Sequence, residues 1–333
     1  MARIIRTDRE LEMQGLDAAL RAAGHELVLL PDGVSEDELA RTLGDAELLL
    51  MCYTPVTARV IGAAPRLKGI VKYGVGIDAI DIETAKARGI AVVNIPEYAE
   101  ETVAEGAFAL LMALARKLKP IQRAMDTKGW AWPQAEWLGR DLAGKTLGLV
   151  GMGRIGSSMA RMAQGFRMRV VGFSPNPHFP SGVEKRKHLQ EMLAECDFVS
   201  IHCVLNDETR GLIGERELAA MRPSAFLINT ARGVIVDEAA LLRALQEKRI
   251  AGAALDVFSD EPVKRQGHPL SALYAMDNVI LSPHLTFYTH EAMARLEAET
   301  LERCREVLEG RPVTVKSRDP RLRGQRKGVR FLD

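Results

Sequence analysis

The feature that most constrains this chain is the segment GMGRIG at positions 151–156, set between an apolar run, TLGLV, and a stretch of helical period. Gly151 permits a tight turn out of a strand, Gly153 lets the backbone come close to a ligand, and Gly156 lets the next helix pack closely on the strand. A helix N-terminus then presents unpaired N–H groups to an anion, so strand, turn and helix form a cradle for the pyrophosphate of a dinucleotide. A second strand, RVVGF, follows, which makes the segment a βαβ unit and not an isolated glycine turn. Arg154 and Ile155, inside the motif, join the three glycines as cofactor candidates.

The cradle begins nearly halfway along the chain. Upstream, the strand-like runs ELVLL, AELLLMCY, LKGIVKY and IAVVNI alternate with helical patterns at 11–23, closed by Gly24, and 35–43, opened by Ser35 with Glu38 three residues on. A long helix is expected over 101–119, followed by GWAWPQAEWLGRDLAGK as a crossing between domains. The alternation then restarts with TLGLVG, RVVGF, DFVSIH, AFLINT, IAGAALDV and NVILSP. A helical pattern over 289–308 leads to RPVTVK and a basic tail, which would return the chain to its first domain. The class is therefore α/β, with two doubly wound parallel sheets, and 333 residues suit two domains.

Forty-five basic and 44 acidic residues leave a net charge of +1, so no overall field draws nucleic acid or an anionic membrane. A small molecule becomes the expected partner. The four cysteines, Cys52, Cys196, Cys203 and Cys304, show neither CxxC nor metal-ligand spacing, which fits reduced thiols, a cytoplasmic setting and no metal. The charged N-terminus is not a signal peptide, and the apolar run at 107–115 is too short to span a bilayer. Trp130, Trp132 and Trp137 are expected to pack in a core, with a domain or subunit contact as the other reading.

A dinucleotide site selective for NAD places an acid at the end of the second strand, on the ribose 2′-OH. Here that place holds Ser174, and the loop SPNPHFPSG offers neither carboxylate nor arginine. Ser174, Asn176 and His178 remain, with Lys185, Arg186 and Lys187 close behind. The cofactor is NAD or NADP, with a lean to NADP.

Three further segments, NTARG, DVFSDEP and SPHLT, each set a polar residue just beyond an apolar strand, where open α/β sheets bind ligands. Arg232 can fork onto a carboxylate or polarise a carbonyl, His284 can exchange a proton near neutrality, and Glu261 can orient and charge the imidazole. His202 and Cys203, at a strand end, read as packing groups near the cofactor.

With YGVGIDAIDIETAKARGIAVVNIP and VAEGAFALLMALAR, these motifs resemble the D-isomer-specific 2-hydroxyacid dehydrogenases over about residues 68–286. The resemblance implies a Rossmann cofactor domain at 101–287, inserted into a flavodoxin-like substrate domain at 1–100 and 288–333. It implies hydride exchange between a nicotinamide dinucleotide and a small 2-keto or 2-hydroxy acid, with Arg232, Glu261 and His284 as the catalytic set. Val75 and Gly76 resemble a backbone carboxylate clamp, and Asp256 the partner of the nicotinamide carboxamide. Further cofactor contacts fall on Thr102, Cys203, Val204, Thr209, Thr230 and Ala231, and Tyr53 is a candidate substrate wall. Relatives also imply a homodimer through the cofactor domain, with the 101–119 helix and its face of Phe108, Leu111, Met112 and Ala115 near the contact. Thr286 departs from the small residue expected two positions after the histidine. A corepressor-like or dinucleotide-sensing protein of the same fold is the alternative reading.

Overall fold

The computed structural model describes residues 1–332, which divide into two compact units. One unit comprises Met1–Ala99 and the segment from Thr289 onward, and the other is Glu100–Tyr288.

The first unit is built on β1 (Arg3–Arg6), β2 (Glu26–Leu29), β3 (Leu48–Met51), β4 (Gly69–Lys72) and β5 (Ala91–Asn94). All pairs are parallel, in the order β2-β1-β3-β4-β5. That is the flavodoxin-like order, and helices covering both faces explain why β3, β4 and β5 are buried at every position. Ser35 caps the helix Glu36–Leu43 by accepting from the Glu38 N–H. The helix His290–Leu308 returns against β4, where a Cβ on Gly69 would lie 2.8 Å from the Val307 methyls. Glycine lets strand and helix approach here.

The second unit carries β6 (Thr146–Val150), β7 (Arg169–Phe173), β8 (Val183–Lys185), β9 (Phe198–Ile201), β10 (Phe226–Asn229), β11 (Gly252–Leu255) and β12 (Val279–Leu281). These seven parallel strands run β12-β11-β10-β9-β6-β7-β8, the Rossmann order extended by one strand. The order reverses between β6 and β9, so the ligand crevice of this sheet opens beyond Val150 and Ile201.

Three expectations change. The 101–119 helix is two helices, Glu100–Ala115 and Leu118–Lys128, joined through Lys117 in the left-handed conformation. Pro120 explains the break, since it has no N–H to continue a helix and fits only a first turn. The face formed by Phe108, Leu111 and Ala115 is covered inside its own unit, against Leu147, Leu149 and Met159, and Met112 packs at its edge. Trp130 and Trp132 are exposed, at 73% and 76%, and stack edge to face, whereas Trp137 is partly buried. Trp130 and Trp132 are surface groups because the loop that carries them lies outside the core clusters of the second unit. No helix among the described residues is long and apolar enough to cross a membrane.

Candidate active site

Loops after β10, β11 and β12 deliver the three expected groups to one edge of the seven-stranded sheet. His284 Nδ1 lies 3.0 Å from Glu261 Oε2, and the other carboxylate oxygen, Oε1, accepts the Phe258 N–H at 2.8 Å. Glu261 is therefore fixed by the backbone before it meets the imidazole. His284 sits at φ +59, an uncommon conformation for a non-glycine residue. The following loop explains how that conformation is held. Asp256, fully buried, accepts the Leu285 N–H on Oδ1 at 2.9 Å and both the N–H and the hydroxyl of Thr286 on Oδ2, at 3.1 and 2.6 Å. Both of its oxygens are engaged by the loop that carries His284. Arg232 stands in extended backbone, anchored by Asn229 Nδ2, which donates to the Arg232 carbonyl at 2.9 Å. The guanidinium donates to the Ala231 carbonyl at 2.7 Å.

The glycine turn carries the properties its sequence requires. Gly151 has φ +100, and a Cβ there would lie 2.5 Å from the Cys203 nitrogen. A Cβ on Gly156 would collide with the Gly151 carbonyl, so the helix Arg154–Gly165 can start where it does only with glycine. A Cβ on Gly153 would meet nothing within 4 Å, which leaves open space over the turn for an approaching phosphate. Arg154 is held by Glu100 at 2.9 Å, Ile155 is partly buried, and Thr102 is buried on the neighbouring helix. Thr230 Oγ1 is buried with no hydrogen-bond partner, an orphaned polar atom of the kind a bound amide or hydroxyl would satisfy. Open space above Gly153 and this orphan hydroxyl fit a dinucleotide.

Around the crevice, His202 bonds Ser200 at 2.9 Å, and burial pushes its imidazole down to about 4, leaving it neutral near pH 7. Burial pushes the Cys203 thiol up to about 11, so it packs as a neutral group. Val204 is exposed, Thr209 braces its loop by donating to the Val204 carbonyl at 2.7 Å, and the Ala231 N–H is taken by Asn229 Oδ1.

At the end of β7, Ser174 Oγ accepts the Asn176 N–H at 3.2 Å, and Asn176 Nδ2 donates to the Met152 carbonyl at 2.8 Å. Lys185 reaches this loop from β8, donating to the Asn176 carbonyl at 3.0 Å. Arg186 does not, because Glu184 and Glu195 hold it at 2.8 and 2.5 Å. The basic cluster seen in the sequence thus contributes Lys185 and not Arg186 to the turn after β7.

In the first unit, Tyr53 follows β3, and Val75 and Gly76 follow β4. Tyr53 and Val75 are 40% and 43% exposed, and Asn94 Nδ2 fixes the turn by donating to the Val75 carbonyl at 2.5 Å.

The family model for the NAD binding domain of the D-isomer specific 2-hydroxyacid dehydrogenases matches residues 108–286. A glyoxylate reductase of Korarchaeum cryptofilum is 43% identical over 277 residues, which are 80% of this chain and 82% of that protein. The chain belongs to the D-isomer specific 2-hydroxyacid dehydrogenases. Among solved structures, D-lactate dehydrogenase from Aquifex aeolicus, complexed with NAD and lactic acid, matches at TM-score 0.83 and 31% identity, over 92% of this chain and 96% of that one. An NADPH-dependent glyoxylate/hydroxypyruvate reductase from Sinorhizobium meliloti, in complex with NADP and malonate, matches at TM-score 0.79 and 28% identity, over 92% and 93%. This dehydrogenase uses a nicotinamide dinucleotide to exchange hydride between 2-keto and 2-hydroxy acids.

Beyond the expected set, the structure shows supporting residues that were not singled out: Asn229, inside NTARG, and Glu100, which hold Arg232 and Arg154, and the buried charges Asp8 and Lys72 at the edge of the first sheet. A signal for Asp8 and Lys72 was present, since a charge inside or just after an apolar strand needs a partner to be buried.

Proposed function

We propose that the enzyme reduces small 2-keto acids of the glyoxylate and hydroxypyruvate class, with His284, Glu261 and Arg232 as its working groups. The observation that carries this reading is the 3.0 Å pair of His284 Nδ1 and Glu261 Oε2. Because Nδ1 faces the carboxylate, proton transfer to the substrate oxygen is assigned to Nε2, and Glu261 stabilises the charged imidazole before transfer. Arg232 takes the substrate carboxylate or 2-oxygen and polarises the carbonyl. When bound, the reduced nicotinamide supplies the hydride. Gly151, Gly153 and Gly156 hold its pyrophosphate, with Thr230 and Thr102 among the contacts nearer the ring. The backbone N–H groups of Val75 and Gly76 receive the substrate carboxylate in the first unit, with Tyr53 as a wall. Residues 1–100 and 288–333 accordingly serve as the substrate domain and 101–287 as the cofactor domain. Support for the small substrate comes from the relative named glyoxylate reductase.

The enzyme uses both dinucleotides with a modest preference for NADPH, because Ser174 removes the acid that would repel a 2′-phosphate and Lys185 adds a cation beside Asn176. Steady-state rates with glyoxylate, hydroxypyruvate, pyruvate and bulkier 2-keto acids, each with NADH and NADPH, test substrate and cofactor together. Ser174→Asp should lower kcat/KM for NADPH by about tenfold relative to NADH. An unchanged NADPH to NADH ratio in that variant would contradict the placement of residue 174 at the ribose.

The chain forms a homodimer through the second unit. Leu118, Met125, Trp130, Trp132 and Leu138 are all exposed within residues 118–138, more apolar surface than a solvated segment of that length ordinarily presents. Light scattering at micromolar concentration should give twice the mass of one chain; a single-chain mass would refute this.

A further inference from the structure

Lys72 ends β4, a strand buried at every position, and its side chain is itself only 6% exposed. A buried ammonium is costly unless a counter-charge or several acceptors surround it. Other buried charges of this sheet have compensation. Arg6 on β1 pairs with Asp17 at 2.9 Å. Asp8 accepts the N–H groups of Cys52, Tyr53 and Thr54 and the hydroxyls of Thr7 and Thr54. Lys72 has no carboxylate within ion-pair distance among the described residues. Its Nζ donates to the Cys52 carbonyl at 2.5 Å, lies 3.2 Å from Cys52 Sγ, and sits 5.5 Å from the centre of the Tyr53 ring.

Asp8, also buried, accepts the N–H of the same Cys52 whose carbonyl accepts from Lys72, and the position of Lys72 also sets it beside the turn that follows β4. Gly74, two residues on, has φ +151, and a Cβ there would lie 2.8 Å from Lys72 Nζ. The ammonium therefore lies directly against the start of the turn formed by Gly74, Val75 and Gly76, and the lack of a side chain at position 74 leaves room for it. The turn offers neutral N–H groups to an anion. Lys72 places a full positive charge behind them, at low dielectric, where a charge acts over several ångströms.

We propose that Lys72 is a specificity-determining residue, a buried cation that makes the Gly74–Gly76 turn selective for the carboxylate form of the substrate. It acts on the anion through space, across the turn. The proposal rests on the reading of Val75 and Gly76 as the carboxylate clamp of a 2-keto acid reductase.

The test compares the 2-keto acid turned over fastest in the substrate panel with its neutral methyl ester, using NADPH. In Lys72→Met the acid-to-ester ratio of kcat/KM should fall by about tenfold, chiefly through KM for the acid, while the rate with the ester changes little. Lys72→Arg should keep most of the ratio, because it keeps the charge. A lysine that only supports the fold would lower both substrates alike, so an unchanged ratio in Lys72→Met overturns the assignment. Should Lys72→Met fail to fold, Lys72→Gln, which still donates to the Cys52 carbonyl, is read in the same way. If the wild-type enzyme turns over no 2-keto acid, the functional reading falls and this proposal with it, an outcome distinct from turnover with an unchanged ratio.

Discussion

At the carboxyl edge of the seven-stranded sheet, Arg232, Glu261 and His284 stand on loops and remain partly accessible. At the carboxyl edge of the five-stranded sheet, Asp8 and Lys72 are buried, and the groups left accessible are Tyr53 and the turn at Val75. In the first case charged side chains stand at the sheet edge and the backbone holds them, as Phe258 holds Glu261. In the second the relation is inverted, and buried charges hold the loop backbone at the edge. Asp8 gathers three successive N–H groups of the loop 52–54, and Lys72 takes the carbonyl of the same loop. The first unit thus shapes its edge with ionic groups that are almost wholly buried, whereas the second leaves its charged groups partly accessible.

This contrast can be broken at either edge. The largest effect is expected from His284→Ala, which should lower kcat by about a thousandfold while leaving dinucleotide affinity nearly unchanged. Near-normal turnover in that variant would remove His284 from proton transfer. A smaller and different effect is expected from Asp8→Asn. Position 8 has φ +55, which asparagine tolerates, so the backbone should not be strained by the change. An amide cannot accept all five donors, however, and its NH2 would face N–H groups. Hydrogen exchange at the amides of Cys52, Tyr53 and Thr54 should speed up by about a hundredfold, with KM raised more than kcat is lowered. Unchanged exchange at those three amides would show that the loop is held by something other than Asp8.

The two edges also differed in how far they could be read from the residues alone. GMGRIG, NTARG, DVFSDEP and SPHLT each follow an apolar strand and end in a group with one obvious chemistry, so the second unit declared both its fold and its candidate site. β1 was hidden, because RIIR is short and half charged, and Arg6 is buried through tertiary partners, Asp17 and the carbonyls of Asp8 and Leu11. β8 was hidden for the same reason, with VEK at an edge of the sheet. Asp256 was legible as a site residue, but its bonds to Leu285 and Thr286 depend on a loop conformation that no spacing reveals. The tryptophans misled because their apolar bulk suggests a core, whereas the loop around them lies at the surface. Motifs thus marked the charged groups left accessible at the sheet edge. Buried charges, which act through tertiary partners, left only the anomaly of a polar residue in apolar company.

The central claim, that the His284–Glu261 pair moves the proton, is tested most directly by the pH dependence of kcat/KM for 2-keto acid reduction in the wild type and in Glu261→Gln. Glutamine keeps a hydrogen bond to Nδ1 but removes the negative charge 3.0 Å from it. The imidazole then loses the carboxylate that orients its Nδ1, so kcat/KM should fall by about tenfold at every pH where the wild type is active, with the loss lying in kcat. A Glu261→Gln profile that overlays the wild type's would contradict the account, because it would show that the group donating the proton does not depend on Glu261.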